Sequence, residues 1–335
     1  MTTNIATEIQ LPDAPPIPGL QFSAFEMDRD IGRLVEVMVE ANLADGVDYL
    51  PNAASHRIDL EHTPNFESAR DIVLASVGNR VVGAAQHSIR VRSGTAVHHL
   101  DGWVRPAERR QGIGRALLHW TEGRARQTAA TWPGPESHAV SVWPDEEQPG
   151  LIALVESEGY GIVRYGFMML RPLAEPIAEA PLPDGLEVRP VRAEDHRRIW
   201  DADVEAFEDH WKPAVRTEED FEGWYATPDI DTTLWRVAWD GDEVAGSVMT
   251  FVFREENEQL GVRRAWLEHV SVRRPWRRRG LATALITDTL RALRDRGLDE
   301  AALGLDAENI SGALRVYESV GFRRHRMGIC YAKAL

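Results

Sequence analysis

One local pattern occurs twice in this chain and limits what either half can become. Over residues 266–272 the side chains alternate as in a strand, with Trp266, Glu268, Val270 and Val272 on one face and Leu267, His269 and Ser271 on the other. Pro275 ends that run because it has no N–H for a sheet ladder. Arg277, Arg278, Arg279 and Gly280 then lead into an apolar-periodic helix opening at Leu281. Residues 96–104 form a second such strand, which runs into the turn 105–114 with Arg109, Arg110, Gly112 and Gly114, and then a helix to about Gln127. A strand that stops in a cationic, glycine-containing turn at a helix N-terminus gathers unpaired N–H groups and the positive end of a helix dipole at one point. That arrangement suits an anion. Small residues at 280 and 282 let a phosphate approach the backbone, and the arginines add fixed charge.

The repetition extends well beyond the turns. A strand at 22–25 and a helix at 28–44 are matched by a strand at 187–191 and a helix at 193–207. Hairpins read at 72–89, turning at Gly78-Asn79, and at 234–253, turning at Asp240-Gly241-Asp242. A strand at 138–142 and a helix ending at Gly159 match a strand at 301–305 and a helix ending at Gly321. Each copy is expected to be a mixed, mostly antiparallel sheet with helices on both faces, an α/β (α+β) fold. Residues 172–185 carry four prolines and read as the linker. The expected organisation is a flexible leader at 1–18, one domain at 19–172, a linker at 173–184 and a second domain at 185–335.

Bulk properties narrow the function classes. The 335 residues, 43% apolar and 27% charged, suffice for two domains with real cores. There is no apolar run of membrane-spanning length, and the N-terminus lacks the pattern of a signal peptide. A net charge of −15 argues against nucleic-acid binding and is compatible with a cationic amine as partner. The single cysteine, Cys330, excludes an internal disulfide, fits a reducing cytoplasm and is expected to pack within a C-terminal strand. Eleven histidines are scattered without ligand spacing, so no metal is expected.

The spacing Arg277-x-x-Gly280-x-Ala282, with Asn309 and the stretch 316–322 downstream, resembles the pyrophosphate-binding turn and following motif of the GCN5-related N-acetyltransferases, the GNAT family. In the first copy, Arg109-x-x-Gly112-x-Gly114 is closer still to the family consensus. The resemblance covers nearly the whole chain and implies tandem GNAT domains that use acetyl-coenzyme A. It places the cofactor against Val270, Val272, Arg277, Arg278, Arg279, Gly280, Ala282, Thr283 and Asn309, and in the first copy against Arg109, Gly112 and Gly114.

Acyl transfer to an amine has three needs. The ammonium, with a pKa of about 10, must lose its proton; the oxyanion must be stabilised; and the departing thiolate must be hydrogen-bonded or protonated. The resemblance implies Glu268 as the base and Tyr317 beside the sulfur. Glu268 could instead pair with Arg264 or His269, and Tyr317 could simply fill core; His269 reads as a packed or surface residue. In the first copy, counting back four from Val104 reaches Leu100, and aligning Gly159 with Gly321 puts Val155 opposite Tyr317 and Glu147 opposite Asn309. That copy is therefore expected to keep the cradle without the chemistry, with His98 and His99 as alternative bases.

Phe207, Glu208, Asp209, His210, Trp211, Trp224 and Tyr225 would suit an amine acceptor through ring and ionic contacts, or else fill core and surface. The layout also resembles the mycothiol synthase-like two-domain acetyltransferases. Their base lies six residues before the counterpart of Val272, where this chain has Trp266. The expected function is transfer of an acetyl group to the primary amine of a small molecule by direct attack, in a cytoplasmic monomer or homodimer with no membrane partner. A mycothiol synthase-like or protein N-acetyltransferase, and a non-catalytic acyl-coenzyme A sensor, are the alternatives.

Overall fold

The computed structural model describes residues 7–135, 137–209, 215–227, 230–307 and 312–335. In the first half the chain runs β1 (Glu8–Ile9), β2 (Leu20–Ala24), α1 (Met27–Ala44), α2 (Ala53–Glu61), α3 (Ser68–Asp71), β3 (Ile72–Val77), β4 (Arg80–Arg92), β5 (Thr95–Val104), α4 (Ile113–Thr131), β6 (Ser137–Val142) and α5 (Pro149–Ser157). It continues through β7 (Gly161–Pro172), β8 (Glu187–Arg189), α6 (His196–Phe207), α7 (Glu218–Ala226), β9 (Arg236–Asp240), β10 (Glu243–Phe251) and α8 (Arg254–Leu260). The last elements are β11 (Arg264–Val272), α9 (Leu281–Asp295), β12 (Glu300–Asp306), α10 (Ala313–Ser319) and β13 (Arg323–Ala334). The described residues fall into two compact units, one from 1–163, 217–228 and 329–335, the other from 164–216 and 229–328.

In unit 1 the strand order is β1-β2-β3-β4-β5-β6 and then the end of β13, and every pair is antiparallel except β5 with β6. Helices cover both faces, so the inner strands read as nearly continuous apolar runs. Ile72 and Leu74 of β3 pack with Leu34, Val37 and Met38 of α1, whereas Val73 and Ala75 pack with Ile113, Ala116 and Leu117 of α4. The i, i+3, i+4, i+7 spacing of Leu34, Val37, Met38 and Ala41 places one stripe of α1 on the sheet. Unit 2 repeats the plan in the order β7-β12-β11-β10-β9-β8, again antiparallel except for β11 with β12. Residues 244–251 of β10 are buried without a break, between α6 and α9.

Three parts of the chain differ from the sequence reading. The leader is tied down over residues 7–18: Glu8 and Ile9 pair with Ser23 and Phe22, and Leu11 is buried in the unit 1 core. The linker lies along unit 2, where Leu173 is fully buried and donates its N–H to Asp299, and Arg171 donates to the Pro176 carbonyl. Helix α7, with Trp224 and Tyr225, belongs to unit 1 rather than to the acceptor side of unit 2. There Asp220 pairs with Arg90 at 2.7 Å, and Gly223 runs so close to α2 that a Cβ would meet His62 at 2.6 Å. Cys330 is buried in β13 and takes part in no disulfide.

Candidate active site

The two parallel pairs part part-way along, and each opening faces a cationic turn. β11 follows β12 only over Arg264, Ala265 and Trp266, after which β12 continues along β7. Opposite, β11 pairs with β10, but the register slips between Met249 and Thr250: Met249 faces His269, Thr250 faces Leu267, and Glu268 is the extra residue of a β-bulge. Bulges re-aim a side chain out of the ladder, and they recur beside active sites. The bulge therefore sets the Glu268 carboxyl two residues beyond the point where β11 and β12 separate.

Both alternative partners for Glu268 are occupied elsewhere. Arg264 donates through Nε to Glu300 at 2.7 Å, and His269 Nδ1 lies 2.6 Å from Asp203 Oδ2. Glu268 has no hydrogen bond or ion pair among the described residues and is exposed. Protein nonetheless crowds it, and this desolvation pushes the carboxyl above its ordinary range, opposed by nearby His269. Because water still reaches the group, the push is smaller than full burial would give. His269 is half-buried, tilted against Phe207 with 5.0 Å between ring centres, and held by buried Asp203, whose Oδ1 has no partner among the described residues.

Tyr317 sits on α10, buried, edge-on to Phe322 with ring centres 6.0 Å apart. Its hydroxyl has no hydrogen bond among the described residues, and burial raises its pKa to about 12. Asn309, His210 and Trp211 lie outside the described residues. Val270 and Val272 are half-buried on β11 past the parting, and Ala282 and Thr283 are half-buried in the first turn of α9.

The turns at 105–114 and 273–282 are built alike. Arg278 and Gly280 take left-handed φ values of 59° and 85°, and Arg110 and Gly112 take 65° and 94°. A non-glycine residue in that region is strained, a feature that clusters at binding sites. Gly280 and Gly112 are the N-caps of α9 and α4 and offer no side-chain acceptor, so the first N–H groups of each helix stay open to a ligand.

The arginines divide the work. Arg277 donates through Nε to the Val272 carbonyl at 2.8 Å, through Nη2 to the Ala206 carbonyl at 3.1 Å, and through Nη1 to Asp209 at 2.5 Å. Arg109 repeats the arrangement with the carbonyls of Val104 and Ala41, at 3.0 and 3.2 Å, and with Asp45. These two guanidiniums tie the turn to the strand it leaves and to the first helix of the unit. Arg279 donates to the Asp184 carbonyl at 3.1 Å. Arg278 and Arg110 are exposed and have no partner among the described residues, which leaves their charge for an anion. The motif spacing located the turns; it could not separate the arginines that brace them from those that face outward.

The model of the acetyltransferase (GNAT) family matches residues 41–139 and 196–322, one stretch in each copy. The chain belongs to the GNAT family. Like that family's enzymes it is an acyltransferase. It is 30% identical to a mycothiol acetyltransferase of Geodermatophilus obscurus, across 93% of this chain and 99% of that protein. It is also 30% identical to a mycothiol acetyltransferase of Salinispora arenicola, across 91% and 94%. Among solved structures, a GCN5-related N-acetyltransferase from Sphaerobacter thermophilus overlays this GNAT chain with a TM-score of 0.70 at 24% identity, covering 95% and 96% of the two chains. A tandem GNAT protein from the clavulanic acid biosynthesis pathway overlays it with a TM-score of 0.65 at 18% identity, covering 94% and 98%. Among the described residues no helix is long and apolar enough to cross a membrane, and no group of three or more His, Cys, Asp or Glu is placed to hold a metal ion.

Proposed function

We propose that unit 2 moves an acetyl group from acetyl-coenzyme A to the primary amine of a small molecule. The pyrophosphate would rest on the open N–H groups at Gly280 and against Arg278, with the pantetheine arm along the β11 edge that β12 leaves free. The thioester then lies near the bulge, where Glu268 takes the proton of the attacking amine. A base with a raised pKa stands closer to neutral pH than an ordinary carboxyl, which favours proton transfer there. Tyr317 hydrogen-bonds the departing thiolate through its unpartnered hydroxyl; a phenol raised to about 12 is a poor acid, so it stabilises the sulfur rather than protonating it outright.

The observation carrying this reading is the bulged, unpartnered Glu268 at the parting of β11 and β12. A cationic acceptor suits this place, since Glu268 is an acceptor without a partner among the described residues. The names of the full-length relatives favour one acceptor to try first, the deacetylated amine of mycothiol. Trp266, six residues before Val272, donates its indole N–H to Glu256 at 3.0 Å, and because an indole is a donor only, the side chain at that position is no base. The test is free-thiol release from acetyl-coenzyme A with this amine and with a panel of other amines. Loss of turnover in Glu268→Gln with unchanged cofactor binding supports the reading; full turnover in that variant refutes it.

A further inference from the structure

Unit 1 contains a cavity of about 500 Å³ where β5 and β6 part. β5 pairs with β6 from Thr95 to His99, and residues 100–104 beyond that point line the cavity together with Arg109, Arg110, Gly112 and Gly114 of the turn. Asp101 lines it too, two residues past His99, the last paired residue. Glu268 likewise stands two residues past Trp266, the last residue of β11 paired with β12. Counting back from Val104 misses Asp101, because β11 carries an extra bulge residue that β5 lacks: β4 and β5 pair without a slip from Gly83–Val104 to Arg92–Thr95.

The surroundings of Asp101 are those of a site for a polar ligand. Gln86 donates through Nε2 to Asp101 Oδ2 at 3.3 Å, while Gln86 Oε1 is buried without a partner among the described residues. His99, on the same face of β5, lies with Nδ1 3.0 Å from Ser141 Oγ, and its Nε2 is also buried and unpartnered. Buried polar atoms left unpaired are costly, and these two stand directly behind Asp101, which itself lines the cavity. Burial, with Arg92 and Arg90, lowers the His99 pKa to about 4, so the ring is neutral near pH 7. Burial pushes the Asp101 carboxyl up, opposed by Gln86. Trp103, on the same face again, packs against the α1 core cluster, and Ala41 of α1 and its C-cap Asp45 form part of the cavity wall.

We infer that unit 1 is a second acyl-transfer centre, in which an acyl-coenzyme A thioester in this cavity is attacked by a primary amine whose proton passes to the Asp101 carboxylate. It has its own cradle, built like the one proposed for unit 2, and uses none of that site's residues. The amine nitrogen bonds to the thioester carbon, Asp101 takes a proton from that nitrogen, and the carbon–sulfur bond breaks with its electron pair on sulfur. The thiolate recovers the proton from Asp101 directly or through water, giving an amide and free thiol and restoring the carboxylate. Val155 stands where unit 2 has Tyr317, so the thiolate leaves without a hydroxyl partner; with a thiol pKa of about 8.5 that is tolerable near neutral pH.

The full-length chain tests this through Asp101→Asn, Glu268→Gln and the double variant, with circular dichroism to confirm folding. Calorimetry with acetyl-coenzyme A should give two equivalents bound per chain. Thiol release is then followed with glucosamine, spermidine and a lysine-containing peptide. Glu268→Gln should leave a residual turnover, which Asp101→Asn in that background lowers by about 100-fold, the ordinary effect of removing a base. Loss of all turnover in Asp101→Asn alone supports the unit 1 centre while refuting that of unit 2. One equivalent bound, a residual rate that ignores Asp101→Asn, or loss of all turnover in Glu268→Gln alone overturns the inference and leaves the reading of unit 2 standing. No turnover of any amine by the unaltered chain overturns both.

Discussion

Replacing Arg277 by alanine separates a brace from a phosphate ligand. Its guanidinium makes two bonds to backbone carbonyls, of Val272 at 2.8 Å and Ala206 at 3.1 Å, and one to Asp209. A hydrogen bond from a charged donor contributes about 1.5–3 kcal/mol, and an exposed ion pair about 0–1 kcal/mol. The Arg277 side chain keeps 35% of its exposure, so the lower end of those ranges applies. Arg277→Ala is therefore expected to lose about 3 kcal/mol, read as a lower urea midpoint at unchanged slope. Arg278, exposed and without a partner among the described residues, should behave oppositely. Arg278→Ala leaves the midpoint within about 0.5 kcal/mol of the parent. It weakens acetyl-coenzyme A binding and flattens the dependence of that binding on salt, because a charge facing the phosphates has gone. Calorimetry at two ionic strengths beside the melts gives both readouts. If Arg277→Ala melts like the parent while losing the salt dependence, Arg277 is a phosphate ligand and the brace is wrong.

Other expectations follow from single contacts. Gly246 of β10 faces Val272, and a Cβ there would lie 2.6 Å from the Ser271 carbonyl oxygen, so Gly246→Ala should cost about 1–3 kcal/mol in a denaturant melt. Asp30 is fully buried on α1, and hydrogen bonds from Arg29, the Glu26 N–H and Arg33 outweigh burial to hold its carboxyl below the usual range. Stability from this group is present above its unfolded pKa and is lost as pH falls through the lower folded one; an acid titration of Asp30→Asn should lack that part of the loss. Tyr317→Phe should lower kcat about 10-fold and leave KM for acetyl-coenzyme A nearly unchanged, because it removes only the hydroxyl proposed to meet the departing thiolate.

Much of this architecture was legible because its signals are local. Strand alternation, the turns at Gly78-Asn79 and at 240–242, and the two cradles set the repeated strands and helices of both copies within a few residues of where they lie, while β1, α2, α3, β7, α7 and α8 had no reading. The misses came from contacts distant in sequence or from single-residue irregularities. No residue pattern announces that one extra residue enters β11 opposite Met249 and Thr250, and that slip is why Leu100 rather than Asp101 emerged from counting. Trp224 and Tyr225 read with Phe207 as one acceptor region, yet α7, which carries them, pairs Asp220 with Arg90, 130 residues away in sequence, and fits Gly223 against His62. The leader read as mobile from its prolines, but Leu11 fills a gap in the unit 1 core, and a Cβ at Gly112 would meet Pro15 at 3.2 Å. Arg277 and Arg109 stood out for their charge, but what fixes their part is which carbonyls lie within reach.

The measurement that bears most directly on the site is the pH dependence of kcat/KM for thiol release in Asp101→Asn, with and without Glu268→Gln. Only the deprotonated carboxylate can act, and crowding raises the Glu268 pKa, so activity should fall as pH drops through a value above its ordinary 4.5. Glu268→Gln should remove that limb and about 10²- to 10⁴-fold of the rate. An unchanged limb, with a rate within about two-fold of the parent, would show that the bulge on β11 does not carry the base.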